Sequence, residues 1–142
     1  MIADDTDMPK RGRCFALLSR IFSHVTHSFG YGYKGLWLSY HDGKSFFALD
    51  FSQHGEKGKN SEKPYGLTAK QSKKRFENKK REATSCSQIR VNEYFKKKTD
   101  RLIEMVKIAI KEHIAFDYLL TDSWFTNFEL LKFIATRRKK CH

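Results

Sequence analysis

Residues 33–51 read YKGLWLSYHDGKSFFALDF, and this stretch decides the fold. Tyr33–Tyr40 and Ser45–Phe51 are aromatic-rich runs with partial apolar–polar alternation, joined by His41-Asp42-Gly43-Lys44. Asp-Gly between two such runs signals a β-hairpin, because the tight turn needs positive φ at its centre. Downstream, Leu102, Val106, Ala109, Ile110 and His113 recur at the spacing of one buried helix face, with Asp100 in place to cap that helix. Ile114–Thr121 (IAFDYLLT) is a short apolar run that predicts a buried, parallel strand ending at Asp122. Thr126 and Glu129 have capping-box spacing and predict a further helix. Leu130, Leu131, Phe133 and Ile134 give that helix a buried side, and it ends in the cations Arg137–Lys140. Upstream, Met1–Asp4 reads as the end of a strand, Thr6–Arg13 as a loop, and Cys14–Phe29 as loosely helical. A hairpin followed by a helical crossover into a new strand implies an α/β fold, a mixed sheet with helices packed on it.

The chain has 142 residues, the length of one domain, with no internal repeat. Lys and Arg number 28 against 16 Asp and Glu, a formal charge of +12. With 39% hydrophobic and 14% aromatic residues, the chain can bury a core. The three cysteines, Cys14, Cys86 and Cys141, are too few and too scattered for a disulfide framework or a metal knuckle. No apolar run approaches the ~20 residues of a membrane helix. The acidic start MIADDTDMPK is unlike a signal peptide, so a cytoplasmic location with no membrane partner is expected.

The charge is concentrated. Residues 57–101 hold fifteen Lys or Arg against five acids. Gln53–Pro64 reads as an exposed loop, and Lys70–Glu82 as a helix-permissive run with one large apolar residue, Phe76. A solvated face is the usual reading of such runs, but this imbalance favours nucleic acid, because cations that neutralise phosphates release counterions. Lys70, Lys73, Lys74, Arg75, Lys79, Lys80, Arg81, Lys96, Lys97 and Lys98 are the candidate DNA contacts.

Asp4, Asp5 and Asp7 follow the first predicted strand, and Asp122 follows the last. Ligand sites in α/β sheets gather at the carboxyl ends of strands. Parallel neighbours lie ~4.8 Å apart, so carboxylates at two such ends can share Mg²⁺, which prefers hard oxygen ligands. Each acid also has an ordinary reading as a turn or cap residue. His24-Val-Thr-His27 places two His on one face if helical, but no partner ligands accompany it. Trp37 reads as hairpin core, and Trp124 as packing beside the acids rather than base contact.

IADDTDMPKRG, SRIFSHVTHSFGYGYKGLWLSYHDGKSFFALDFSQHGEKGK and FDYLLTDSWFTNFELLKFI together resemble the catalytic domain of bacterial insertion-sequence DDE transposases. The sharpest pieces are Asp4–Thr6 and Tyr118–Phe125, and the likeness runs along almost the whole chain. It implies an incomplete RNase H-like mixed sheet flanked by helices over residues 1–142, with a basic insertion at 53–100. The first and fourth strands of such a sheet are parallel neighbours. The family's first catalytic and metal-binding Asp falls on Asp5, with Asp4 as the fallback, and the second falls on Asp122. The cofactor implied is Mg²⁺, with Mn²⁺ as the substitute. The partners implied are transposon-end and target DNA, and a homodimer for the full-length enzyme, in a bacterial, nucleoid-associated setting. The activity implied is DNA transposition, by hydrolysis at transposon ends and strand transfer. The family's third acid, a Glu after a further strand, has no counterpart here, and Glu129 lies on the wrong helix. The upstream helical DNA-binding region is missing too. A truncated product without efficient cleavage is therefore expected. The rivals are a small basic non-catalytic nucleic-acid-binding protein and a self-contained nuclease or resolvase of the same fold.

Overall fold

The computed structural model describes residues 1–12, 15–57, 60, 62–73 and 80–138. Five strands form one mixed sheet: β1 (Ile2–Pro9), β2 (Ser19–Ser23), β3 (Ser28–His41), β4 (Phe46–His54) and β5 (Leu120–Thr121). The order along the sheet is β2-β3-β1-β5, with β4 also paired to β3. The described helices are α1 (Ala69–Lys73), α2 (Cys86–Tyr94), α3 (Lys98–Lys111) and α4 (Phe128–Arg138), with short 3-10 turns at Pro64–Gly66 and Ser123–Phe125.

The described residues divide into two compact units. The first comprises Met1–Asp4, Leu36–Phe51 and the chain from Lys97 onward. Its core is Met1, Ala3, Leu36, Leu38, Leu102, Met105, Val106, Ala109, Phe125 and Leu130. Leu102, Val106 and Ala109 are the expected buried face of α3, and Met105 completes it. Ile110 is only half-buried, and His113 lies exposed just past the helix. The second unit comprises Asp5–Gly35 and Ser52–Lys96. Its core is Leu17, Leu18, Tyr33 and Tyr94, with Met8, Tyr31, Tyr65 and Val91 packed against it.

The Asp-Gly hairpin forms as expected between β3 and β4. Gly43 takes φ +93°, and Asp42 Oδ1 accepts the N–H groups of Lys44 at 2.8 Å and Ser45 at 2.6 Å. These two bonds hold the Asp42 carboxyl below its ordinary pKa of 3.8.

Several sequence expectations are corrected. The helix expected over Cys14–Phe29 is absent from its described residues, where β2 pairs antiparallel with the start of β3, from Ser19↔Gly32 to Ser23↔Ser28. His24–His27 is the turn between them, with His27 at φ +49°, so the two His do not share a helix face. β1 runs on to Pro9, through the expected loop at Thr6, because β3 flanks it; Lys10 N–H bonds Tyr31 O at 2.8 Å. The backbones are close here, and a Cβ on Gly32 would overlap the Met8 carbonyl oxygen. Gln53 and His54 belong to β4 rather than to a loop, and His54 is buried. The strand expected over Ile114–Thr121 is reduced to two residues with Leu120 60% exposed, because it is held on one side by β1. Trp37 is 36% exposed rather than core, packed against Phe51 at 4.6 Å between ring centroids.

Both expected helix caps shift. Asp100 sits inside the first turn of α3, whose N-cap is Lys97, without a side-chain cap bond. Asn127, not Thr126, caps α4: its Oδ1 accepts Leu130 N–H at 2.9 Å. Thr126 instead closes the preceding 3-10 turn, its N–H bonding Ser123 O. Leu131, expected on the buried side of α4, is exposed, and Leu130 takes the core.

Candidate functional site

The parallel pairing of β1 with β5 runs Ile2↔Leu120 and Ala3↔Thr121. One step further along both strands stand Asp4 and Asp122. Ala3 is buried in the first unit's core and Thr121 is its register partner, so alternation sends Asp4 to the opposite face. Asp4 and Asp122 are both exposed and belong to the same unit. Asp122 keeps an extended backbone, φ −62° and ψ 150°, as the N-cap of the 3-10 turn Ser123–Phe125. Its Oδ1 accepts Ser123 N–H at 2.5 Å and Ser123 Oγ–H at 3.2 Å. These bonds fix the carboxylate at the strand end and leave Oδ2 with acceptor capacity.

Asp5 follows Asp4 in β1, half-buried and grouped with the second unit. Adjacent strand residues face opposite ways, so Asp4 and Asp5 serve different surfaces. The acids Asp4, Asp5 and Asp7 lie within β1 rather than after it. Asp7 is committed elsewhere: its carboxylate accepts a short hydrogen bond from Lys34 Nζ. Lys34 also meets Glu56 Oε1 at 3.3 Å and bonds Phe22 O at 2.9 Å. Burial would lower the Lys34 pKa, but the hydrogen bond to Asp7 and the charges of Glu56 and Asp7 outweigh it and raise it above 10.5.

Of the candidate DNA contacts, Lys70 is exposed on α1 and Lys73 ends that helix. Lys80 is exposed and Arg81 half-buried before α2. Lys96 and Lys97 are exposed between α2 and α3, and Lys98 opens α3. Lys74, Arg75 and Lys79 lie outside the described residues, as does Phe76. Among the described residues no three His, Cys, Asp or Glu side chains group closely enough to hold a metal ion. Mg²⁺ commonly takes one or two carboxylates from protein and the rest from water and phosphate. No described helix is long and apolar enough to cross a membrane.

The sequence reading assembles neither of two further clusters, although it singles out Trp124 and Lys98 separately. In the second unit Ser52, His54 and Glu93 are all buried. Ser52 Oγ lies 3.0 Å from His54 Nε2 and donates at 3.5 Å to Glu93 Oε2, which Arg90 meets at 2.7 Å. Ser-His-acid is hydrolase chemistry by composition, but a serine with no exposed surface meets no substrate, and the cluster ties β4 to α2. Only the i, i+2 spacing of Ser52 and His54 hinted at it. In the first unit Trp124 stands 48% exposed beside Asp122, with Lys98 Nζ 4.9 Å from its ring centroid.

No family model, curated protein or solved structure matches this chain. The fold and the site define a mixed α/β protein with a parallel strand pair that leads into two acids.

Proposed function

We propose that this chain is an RNase H-like catalytic domain of a DDE transposase, which binds DNA and holds Mg²⁺ or Mn²⁺ between Asp122 and one of the two acids Asp4 and Asp5. The observation that carries this reading is the β1–β5 register, which leads directly into Asp4 and Asp122. The resemblance assigns the first acid to Asp5, whereas the register favours Asp4, its fallback. A divalent ion supplies positive charge for phosphodiester hydrolysis and strand transfer when bound. The chain's own residues do the rest. Asp122 is held rigid by its bonds to Ser123, and the cations of residues 57–101 neutralise the phosphates of transposon-end and target DNA. The fifteen cations within residues 57–101, with Asp122 acting as the N-cap of a 3-10 turn, favour one second reading, a small basic nucleic-acid-binding protein without catalysis.

Mn²⁺ titration followed by calorimetry separates the two. Asp122→Asn is expected to weaken Mn²⁺ binding at least about tenfold, the cost of one lost charged ligand. Either Asp4→Asn or Asp5→Asn is expected to match it, and the variant that does so assigns the first acid. Mn²⁺ binding indifferent to all three substitutions, with DNA binding intact, establishes the non-catalytic reading instead.

A further inference from the structure

Trp124 is two residues past Asp122 and 48% exposed, yet its neighbour Phe125 has no exposed surface at all. The two rings stack at 3.8 Å between centroids and 30° between planes. Trp124 is therefore an exposed indole braced from behind by a core residue. Lys98 Nζ lies 4.9 Å from its centroid, on a flexible stem at the start of α3. Phe128, four residues on, is 71% exposed, with Lys132 Nζ 5.8 Å from its ring. Burying the Trp124 face in the core would have been the ordinary outcome for so large an apolar side chain. Instead two exposed rings, each accompanied by a lysine, follow directly on the acid at the end of β5.

Rigid aromatics interleaved with cations bind single-stranded nucleic acid, because every base has a π-face and every linkage a phosphate. We infer that Trp124 is a stacking platform for an unpaired base beside Asp122, with Lys98 pairing the adjoining phosphate; this rests on the nucleic-acid reading above. Phe125 occupies one face of the indole, so the base takes the other. The Lys98 ammonium yields to it, since an exposed cation–π contact is weaker than base–aromatic stacking. The displaced ammonium then meets the phosphate backbone. Binding an unpaired base here brings a strand end or a melted nucleotide to the segment that carries Asp122, two residues before Trp124.

The chain has two tryptophans, Trp37 and Trp124, so Trp37→Phe makes Trp124 the sole indole reporter. This variant is titrated, without divalent metal, with a short single-stranded DNA and with the same strand made wholly abasic; binding is followed separately by anisotropy of a labelled strand. Quenching of Trp124 emission by the normal strand and not by the abasic one is expected. Trp124→Ala is expected to bind the normal strand about tenfold more weakly, and Trp124→Phe to retain most of the affinity. Lys98→Gln is expected to flatten the log–log salt dependence by about 0.7, one phosphate's worth on a single strand. Subtracting wild-type and Trp124→Phe emission isolates the same indole without altering Trp37. Binding with no quenching, or equal quenching by the abasic strand, overturns the platform while leaving nucleic-acid binding standing. Absence of binding by either strand and by duplex overturns the platform and the nucleic-acid reading together.

Discussion

At the scale of the residue, Lys34 shows how one acid of an apparent cluster is removed from candidacy. Asp4, Asp5 and Asp7 look equivalent as a string of letters, but a buried lysine on β3 holds Asp7 in an ion pair. An amine this buried stays charged only if anions face it, and Asp7 and Glu56 do so. Lys34→Met leaves those two carboxylates facing each other without their cation and is expected to cost about 2–3 kcal/mol, since removing one member strands the rest. The sign of the pH dependence follows from the raised Lys34 pKa. The folded chain holds this proton more tightly than the unfolded chain. The contribution is therefore complete below the ordinary value of 10.5 and lost as pH rises through the higher folded value. Chemical denaturation of wild type and Lys34→Met is expected to differ by a constant amount at neutral and mildly alkaline pH, and to converge above the folded value. A difference that grows with rising pH would contradict the assignment.

At the scale of the element, the start of α4 tests which residue caps it. Asn127 accepts Leu130 N–H, so Asn127→Ala is expected to lower stability by ~1 kcal/mol. Thr126→Ala is expected to stay within ~0.5 kcal/mol. Urea midpoints of the two variants decide between them, and the reverse ranking restores the capping box that Thr126 and Glu129 suggested. Their spacing was legible, but the 3-10 turn Ser123–Phe125 was not, and that turn moves the helix start past Thr126. The hairpin at Asp42-Gly43 was legible because its turn chemistry is local. So was the inner face of α3, whose period survives in Leu102, Val106 and Ala109. β2 was not: Phe15, Leu17, Leu18, Ile21 and Phe22 mimic a helix period, and strand pairing with Ser28–Gly32 overrides it. The extension of β1 through Asp5, Thr6 and Asp7 was hidden for a similar reason. A strand within a sheet takes its hydrogen bonds from neighbours distant in sequence, so polar letters do not end it. The parallel strand before Asp122 was foreseen, whereas the braced exposure of Trp124 was not, because exposure depends on what packs around a ring.

At the scale of the whole molecule, the formal charge of +12 predicts how affinity responds to salt. Residues 57–101 carry fifteen of the 28 cations and ten of the candidate DNA contacts. If the partner is DNA, binding is driven by release of condensed counterions, and the logarithm of affinity falls linearly with the logarithm of salt. Six to ten phosphate contacts correspond to a loss of about 10³–10⁵ in affinity between ~50 and ~200 mM salt. A protein whose cations merely keep it soluble shows no such slope, because its lysines stay hydrated at every salt concentration. The slope also divides the work among residues. Replacing Lys96 and Lys97, both exposed, by Gln is expected to reduce its magnitude by about 0.9 per phosphate contact on duplex DNA. On the proposed reading, Asp122→Asn removes a negative charge from the site and is expected to tighten metal-free binding slightly, while shifting the response to Mn²⁺ to at least about tenfold higher Mn²⁺. Anisotropy titrations of one labelled duplex at four salt concentrations, with and without Mn²⁺, measure both effects. A flat salt dependence would remove nucleic acid as the partner, and a steep one untouched by Lys96→Gln and Lys97→Gln would move the phosphate contacts to other cations of the same segment.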